Sequence, residues 1–249
     1  MQYGICPLSI IPVRIAPEEA AEMLSQILFG EHFKILESRK YWSRIRVAFD
    51  KTEGWILNSQ LAFTTEEEYK QNDTTLHTYT ADLISYVENA NQLLVPILLG
   101  SRINTSKKLD VKFEGNALQD QQDKNNLVKT ALLYLNAPEL HGGKTPFGID
   151  ASGFTQMVYK INGYSLLRTA EAQAKQGDAL SFVEESEAGD LAFFDNANGV
   201  INHVGIIMDN NYIIHVNGAV RIDRLDHTGI FNNDLRNYTH KLRVIKKII

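Results

Sequence analysis

The sequence predicts an α+β chain in which small β-barrel units precede a larger unit that runs helices first and strands after. Three observations carry this prediction. Residues 1 to 63 hold short apolar runs separated by turns. From Asp123 the apolar residues recur at spacings of three and four, and from Gly189 consecutive apolar strands return. With 249 residues and 44% hydrophobic content, the chain can bury either one large core or several small ones.

In the first segment the runs are Ile10 to Arg14, Gly30 to Leu36, Trp42 to Phe49 and Gly54 to Leu61. Tyr41 to Val47 alternates with period two, the mark of a half-buried strand. Several short strands in so few residues imply a barrel. The order Pro12-Val13-Arg14, then a Gly30-Glu31 turn, then Trp42 with Ile45, then Glu53-Gly54-Trp55-Ile56 resembles a bacterial SH3 domain, placed at 1–63. Thr64 to Asp73, with Glu66, Glu67 and Glu68 in series, reads as a solvated linker or exposed turn. Leu93 to Leu99, Gly100-Ser101 and Val111 to Gly115 suggest a second, less regular SH3-like β domain over 64–120.

The third domain, 121–249, opens with Leu127, Val128, Ala131, Leu132 and Leu135 on one helical face. Asp150 can cap the next helix, which carries Phe154, Met157, Val158 and Ile161 as core and ends at Asn162-Gly163. Gly189 to Phe194, Ile201 to Met208, Tyr212 to Val216 and Val220 to Ile222 read as consecutive antiparallel strands.

Composition excludes several function classes. A net charge of -5 with scattered Lys and Arg gives no field to concentrate a nucleic acid. No apolar run reaches the length of a membrane span. The first residues lack the basic and apolar regions of a secretory signal, so a cytoplasmic protein is expected unless a signal has been removed. Cys6 is the single cysteine, which rules out an internal disulfide or a cysteine zinc cluster. Between Ile5 and Pro7 it reads as a small core residue.

Among seven histidines, His203 and His215 stand apart. If Asp209, Asn210 and Asn211 form a three-residue hairpin loop, Met208 faces Tyr212 and Gly205 faces His215. His203 then shares a face with Gly205 and lies diagonal to His215, about 7 to 8 Å away by backbone geometry and within side-chain reach. A helix starting near 151 would stabilise a thiolate in its first turn. Residue 151 is alanine, so this is the geometry of a Cys-His-His peptidase without its nucleophile.

Gly142-Gly143, a short spacer and Asp150-Ala151-Ser152-Gly153 resemble the nucleophile segment of the NlpC/P60 cell-wall cysteine peptidases, where the pattern is Asp-Cys-Ser-Gly. His203-Val204-Gly205-Ile206, Ile213-Ile214-His215 and Gly218 to Asp223 continue the likeness. More closely, the chain resembles the γ-D-glutamyl-L-diamino-acid endopeptidases of murein recycling (dipeptidyl-peptidase VI type). The resemblance implies a papain-like domain, His203 as base and His215 as the residue holding its tautomer. It places Asp150 and Ser152 as peptide ligands, with Asp150 equally readable as a helix cap. Glu139 and Ala170, the latter in Arg168-Thr169-Ala170-x-x-Gln173, fall at substrate-binding positions, and Glu22 is the acidic candidate for a substrate amine. No cofactor and no metal are implied. His141 offers a third imidazole for zinc, but the direction of its loop is not legible.

The chain departs from the family pattern elsewhere too. Glu139-Leu140-His141 stands where Tyr-x-Trp is usual, Leu167 where proline often precedes the arginine, and Thr52 where an aromatic is frequent. Ser152 would point away from a base aimed at 151. Loss of the attacking residue removes a factor of roughly 10⁶ in rate. The expectation is a non-catalytic homologue that binds a murein peptide of the L-Ala-γ-D-Glu-diamino acid type, or an unknown protein partner. Two alternatives stand beside it: an active murein tripeptide endopeptidase whose nucleophile has been replaced by Ala151, and an SH3-based interaction module with a filled cleft.

Overall fold

The computed structural model describes residues 2–105 and 109–249. The chain divides into two compact units, one ending at Gln121 but also holding His141–Thr145, the other holding Gln122–Leu140 and Pro146–Ile249.

The first unit begins with seven strands: β1 (Gln2–Ile5), β2 (Ile10–Arg14), β3 (Met23–Leu28), β4 (His32–Ser38), β5 (Trp42–Val47), β6 (Glu53–Leu57) and β7 (Ala62–Thr64). They pair in the order β3-β2-β6-β5-β4-β1-β7. Period-two alternation in β5 buries Ser43, Ile45 and Val47, and the latter two join a core of Ile11, Val13, Ile27, Phe33 and Ile56. Cys6 belongs to this core. Burial pushes its thiol pKa up, and its Sγ donates to the Leu8 carbonyl at 3.1 Å.

The segment expected as an exposed linker is instead helix α1 (Glu66–Thr74). Thr65 and Glu68 form a reciprocal capping box, and the glutamates lie in the first turn, where the helix dipole favours them. The helix is anchored by Tyr69, whose ring lies 4.7 Å from that of Tyr3 and 4.9 Å from that of His32. Strands β8 (Thr78–Thr80), β9 (Ile84–Asn89), β10 (Leu94–Leu98), β11 (Val111–Phe113) and β12 (Ala117–Gln119) follow. They form a β10-β9-β11 sheet and a β12-β8 pair. Phe29, from the turn after β3, is buried with Val87 and Ile97, so the two β segments share a core.

The second unit contains α2 (Asn125–Leu132), α3 (Ala151–Ile161) and α4 (Ala170–Gln173). α2 is shorter than its apolar spacing predicts. Leu132 and Leu135 are each 42% exposed, and Tyr134 is the buried residue beyond its end. α3 runs as predicted and ends at Asn162, with Gly163 at φ +85°. From Gly153 to Ile161 every residue of α3 is buried.

Short strands β13 (Lys144–Thr145) and β14 (Gly148–Ile149) flank the unit boundary. Beyond them lie β15 (Asp178–Leu180), β16 (Leu191–Asp195), β17 (Ile201–Met208), β18 (Tyr212–Asn217), β19 (Ala219–Leu225), β20 (Gly229–Asn232) and β21 (Asn237–Lys247). The order β15-β21-β16-β17-β18-β19-β20, with a further β21–β20 pairing, closes the sheet on itself. Gly229 permits the closure: it adopts φ +149°, and a Cβ there would come 1.8 Å from the His240 carbonyl oxygen. No helix among the described residues is long and apolar enough to cross a membrane.

Candidate active site

The first turn of α3 is held from several sides. Asp150 caps it, Oδ1 accepting the Gly153 N–H at 2.7 Å. Arg168 clamps the same carboxylate, Nη1 to Oδ1 at 2.9 Å and Nη2 to Oδ2 at 2.6 Å, and also donates to Ser152 Oγ at 3.0 Å. Gln173 donates to the Ser152 carbonyl at 2.9 Å and accepts from Thr155 Oγ1 at 2.8 Å. The Arg168 to Gln173 segment thus braces the turn whose first helical residue is Ala151.

The hairpin forms in the predicted register: Asp209–Asn211 is the loop, Met208 faces Tyr212 and Gly205 faces His215. Gly205 leaves room for the pair, since a Cβ there would lie 2.9 Å from that of His215. The imidazoles meet with His203 Nε2 3.0 Å from His215 Nδ1. Beyond His215, its Nε2 reaches Asp223 Oδ2 at 3.1 Å. Arg221 then grips Asp223 at 2.7 and 3.0 Å and Asp234 at 2.8 Å.

The carboxylate end sets the protons. Burial acts to raise the Asp223 carboxyl, but hydrogen bonds from His215 and Arg221 outweigh it and hold the group below its usual range. An ionised carboxylate only accepts, so His215 carries its proton on Nε2 and, when neutral, offers a lone pair at Nδ1. His203 Nε2 must then donate, which leaves His203 Nδ1 as a basic lone pair. Burial, with smaller contributions from His240 and His215, holds the His203 pKa well below the ordinary value and keeps the ring neutral.

His240, on β21, lies against this pair. Its ring stacks on His203 at a centroid distance of 3.9 Å and sits edge-on to His215 at 5.6 Å. The register brings them near: Phe194 of β16 pairs with His203 on one side and with Leu242, two residues from His240, on the other. Burial lowers the His240 pKa to about 4.

The start of α3 is braced and the imidazoles form a relay of their own, and comparison with known proteins identifies the domain that holds both. Residues 138–238 match the NlpC/P60 family model, and residues 13–61 match that of the bacterial dipeptidyl-peptidase SH3 domain. Residues 138–238 form an NlpC/P60 domain. A gamma-D-glutamyl-L-lysine dipeptidyl-peptidase of Bacillus subtilis (strain 168) is 27% identical over 213 residues, covering 77% of this chain and 71% of that protein. A dipeptidyl-peptidase 6 of Lysinibacillus sphaericus is 24% identical over 244 residues, covering 84% and 87%. In fold, the chain superposes on the crystal structure of an NlpC/P60 family protein from Bacillus cereus ATCC 10987 with a TM-score of 0.81, at 17% identity and 99% coverage of both chains.

Within the NlpC/P60 domain, Asp150 and Ser152 are engaged by α3 and Arg168. Glu139 accepts the Gly218 N–H at 2.7 Å, tying the segment before β13 to the turn after β18. Ala170, the first residue of α4, is buried. Glu22 and His141 belong to the other unit, where they bond to each other at 2.8 Å and are both exposed. His141 is therefore already bonded to a carboxylate.

Asp223, Arg221 and His240 were missed by sequence reasoning. Strand alternation could have found Asp223, since Arg221 faces His215 in register and Asp223 is the next residue on that face. His240 had no comparable signal.

Proposed function

We propose that this chain binds murein-derived peptides of the L-Ala-γ-D-Glu-diamino acid type without hydrolysing them. The observation that carries this reading is Ala151 as the first residue of α3, where a thiolate would gain from the helix end. A methyl side chain cannot attack a carbonyl, so the covalent route is closed. The substrate class comes from the relatives, whose names state peptidases acting at γ-D-glutamyl bonds. Glu22, exposed and paired with His141, is the acidic group proposed to receive a free peptide amine in exchange for that imidazole, and the proposed setting is the cytoplasm.

The intact His203, His215 and Asp223 relay favours a second reading, in which the natural gene encodes cysteine at 151 and the protein is an active endopeptidase. The codon at that position separates the two.

Calorimetry with L-Ala-γ-D-Glu-meso-diaminopimelate tests the proposal, with mass spectrometry of the recovered peptide. Saturable binding with the peptide intact is the expected outcome. Cleavage overturns the non-catalytic reading, and absence of binding overturns the peptide reading in favour of an SH3-based interaction with a protein.

A further inference from the structure

The three imidazoles of His203, His215 and His240 exceed what a peptidase relay needs. One ring nitrogen from each lies within 4.8 Å of the other two, and the first two residues are buried. We propose that this cluster is a binding site for a divalent transition metal, with Zn²⁺ as the reference ion.

Imidazole nitrogens suit zinc at about 2.0 to 2.1 Å, which sets neighbouring ligand atoms about 3.3 to 3.4 Å apart in a tetrahedron. His203 Nε2 and His215 Nδ1 already stand 3.0 Å apart. The ring of His240 uses Nδ1 on Thr239 Oγ1 at 2.9 Å, which leaves Nε2 for a ligand. His240 is the least buried of the three.

The surroundings fit a metal-ligating histidine. His215 presents Nε2–H to the buried Asp223, which is itself held by Arg221. A carboxylate behind the second ring nitrogen fixes the tautomer and raises the basicity of the ligating one. Three histidine ligands leave one tetrahedral position open, the pattern of an exchangeable rather than a closed structural site.

Binding has a consequence for the relay. In the metal-free tautomer His203 Nε2 donates to His215 Nδ1. With a metal on both nitrogens that proton moves to His203 Nδ1, turning the side of the ring that would act as base into a donor. The metal and the general base therefore exclude each other. The inference does not depend on the peptide-binding proposal, because its readouts use the metal alone.

The experiment is titration of the chelator-treated full chain with ZnCl₂ by calorimetry, and with CoCl₂ by visible absorption. Saturation at one equivalent with the intense d–d bands of four-coordinate Co²⁺ is expected. His240→Gln should weaken binding at least about a hundredfold, and Asp223→Asn by about 10- to 100-fold. His227→Gln, a change at an exposed histidine outside the cluster, should leave it unchanged. Circular dichroism of each metal-free variant reports folding. Anomalous scattering at the zinc edge from a soaked wild-type crystal locates the ion without any variant. Failure to saturate, equal affinity in the folded His240→Gln protein, or an anomalous peak away from these imidazoles overturns the site.

Discussion

Asp223 Oδ2 lies 3.1 Å from His215 Nε2, and this one contact orders the protons of the whole imidazole chain. Because the carboxylate can only accept, it dictates which nitrogen of His215 is protonated and, through it, which nitrogen of His203 is left basic. The relay is thus specified by a residue two contacts away from His203.

Introducing that nucleophile tests the relay directly. In Ala151→Cys the new thiol should titrate below the free-cysteine value of about 8.5, given the helix start and a neutral imidazole base. Adding Asp223→Asn should return it upward by about one unit or more, since the amide no longer enforces the tautomer. The pH dependence of iodoacetamide alkylation measures both, and Cys6 should stay unreactive because it is fully buried. Equal profiles for the single and double variants would contradict the relay. Tripeptide hydrolysis by Ala151→Cys alone should remain low, because Glu139 and His141 replace the aromatics of the family pattern. Robust turnover would show those changes to be immaterial.

Stability should fall on acidification before the carboxylates titrate. His203, His240 and His32 all have folded pKa values lowered from 6.5, the latter two to about 4, chiefly by burial. The unfolded chain takes up these protons near 6.5 and the folded chain only at lower pH. Protonation therefore favours unfolding: the stabilisation is complete above about 6.5 and is lost progressively toward about 4. Melting temperatures between pH 7.5 and 5 should decline, and His203→Gln should flatten the slope. A level profile in wild type over that range would refute the assignment.

Space at Gly205 is required by the histidine pair. A Cβ there would sit 2.8 Å from Ile213 Cδ1 and 2.9 Å from His215 Cβ. Gly205→Ala should cost about 1 to 3 kcal/mol as an overpacking change. It should also shift the imidazole resonances of His215 in a heteronuclear NMR spectrum. Unchanged stability together with unchanged resonances would mean that the hairpin yields without disturbing the pair.

Local periodicity made much of this protein legible. The alternation of Tyr41 to Val47, the Asp150 cap and the three-residue hairpin each depend on residues close in sequence, and the structure follows them. The reading of Thr64 to Asp73 as a linker failed because three glutamates resemble solvated surface, whereas Thr65 and Glu68 cap a helix that Tyr69 anchors. Strand β21 has a faint apolar pattern because its residues are divided between exposed and half-buried, with Ile245 the one buried residue.

By itself, the sequence determined that an alanine opens the helix where a nucleophile would stand, and that two histidines meet across one hairpin. The helix start follows from the Asp150 cap and the meeting of the histidines from the strand repeat, while a nucleophile at 151 is what the family resemblance implies. Only the tertiary structure decided that Asp223 and Arg221 brace that pair and that His240 stacks on it. Those contacts depend on closing the sheet through β20 and β21, a long-range pairing that Gly229 permits and that no local spacing encodes.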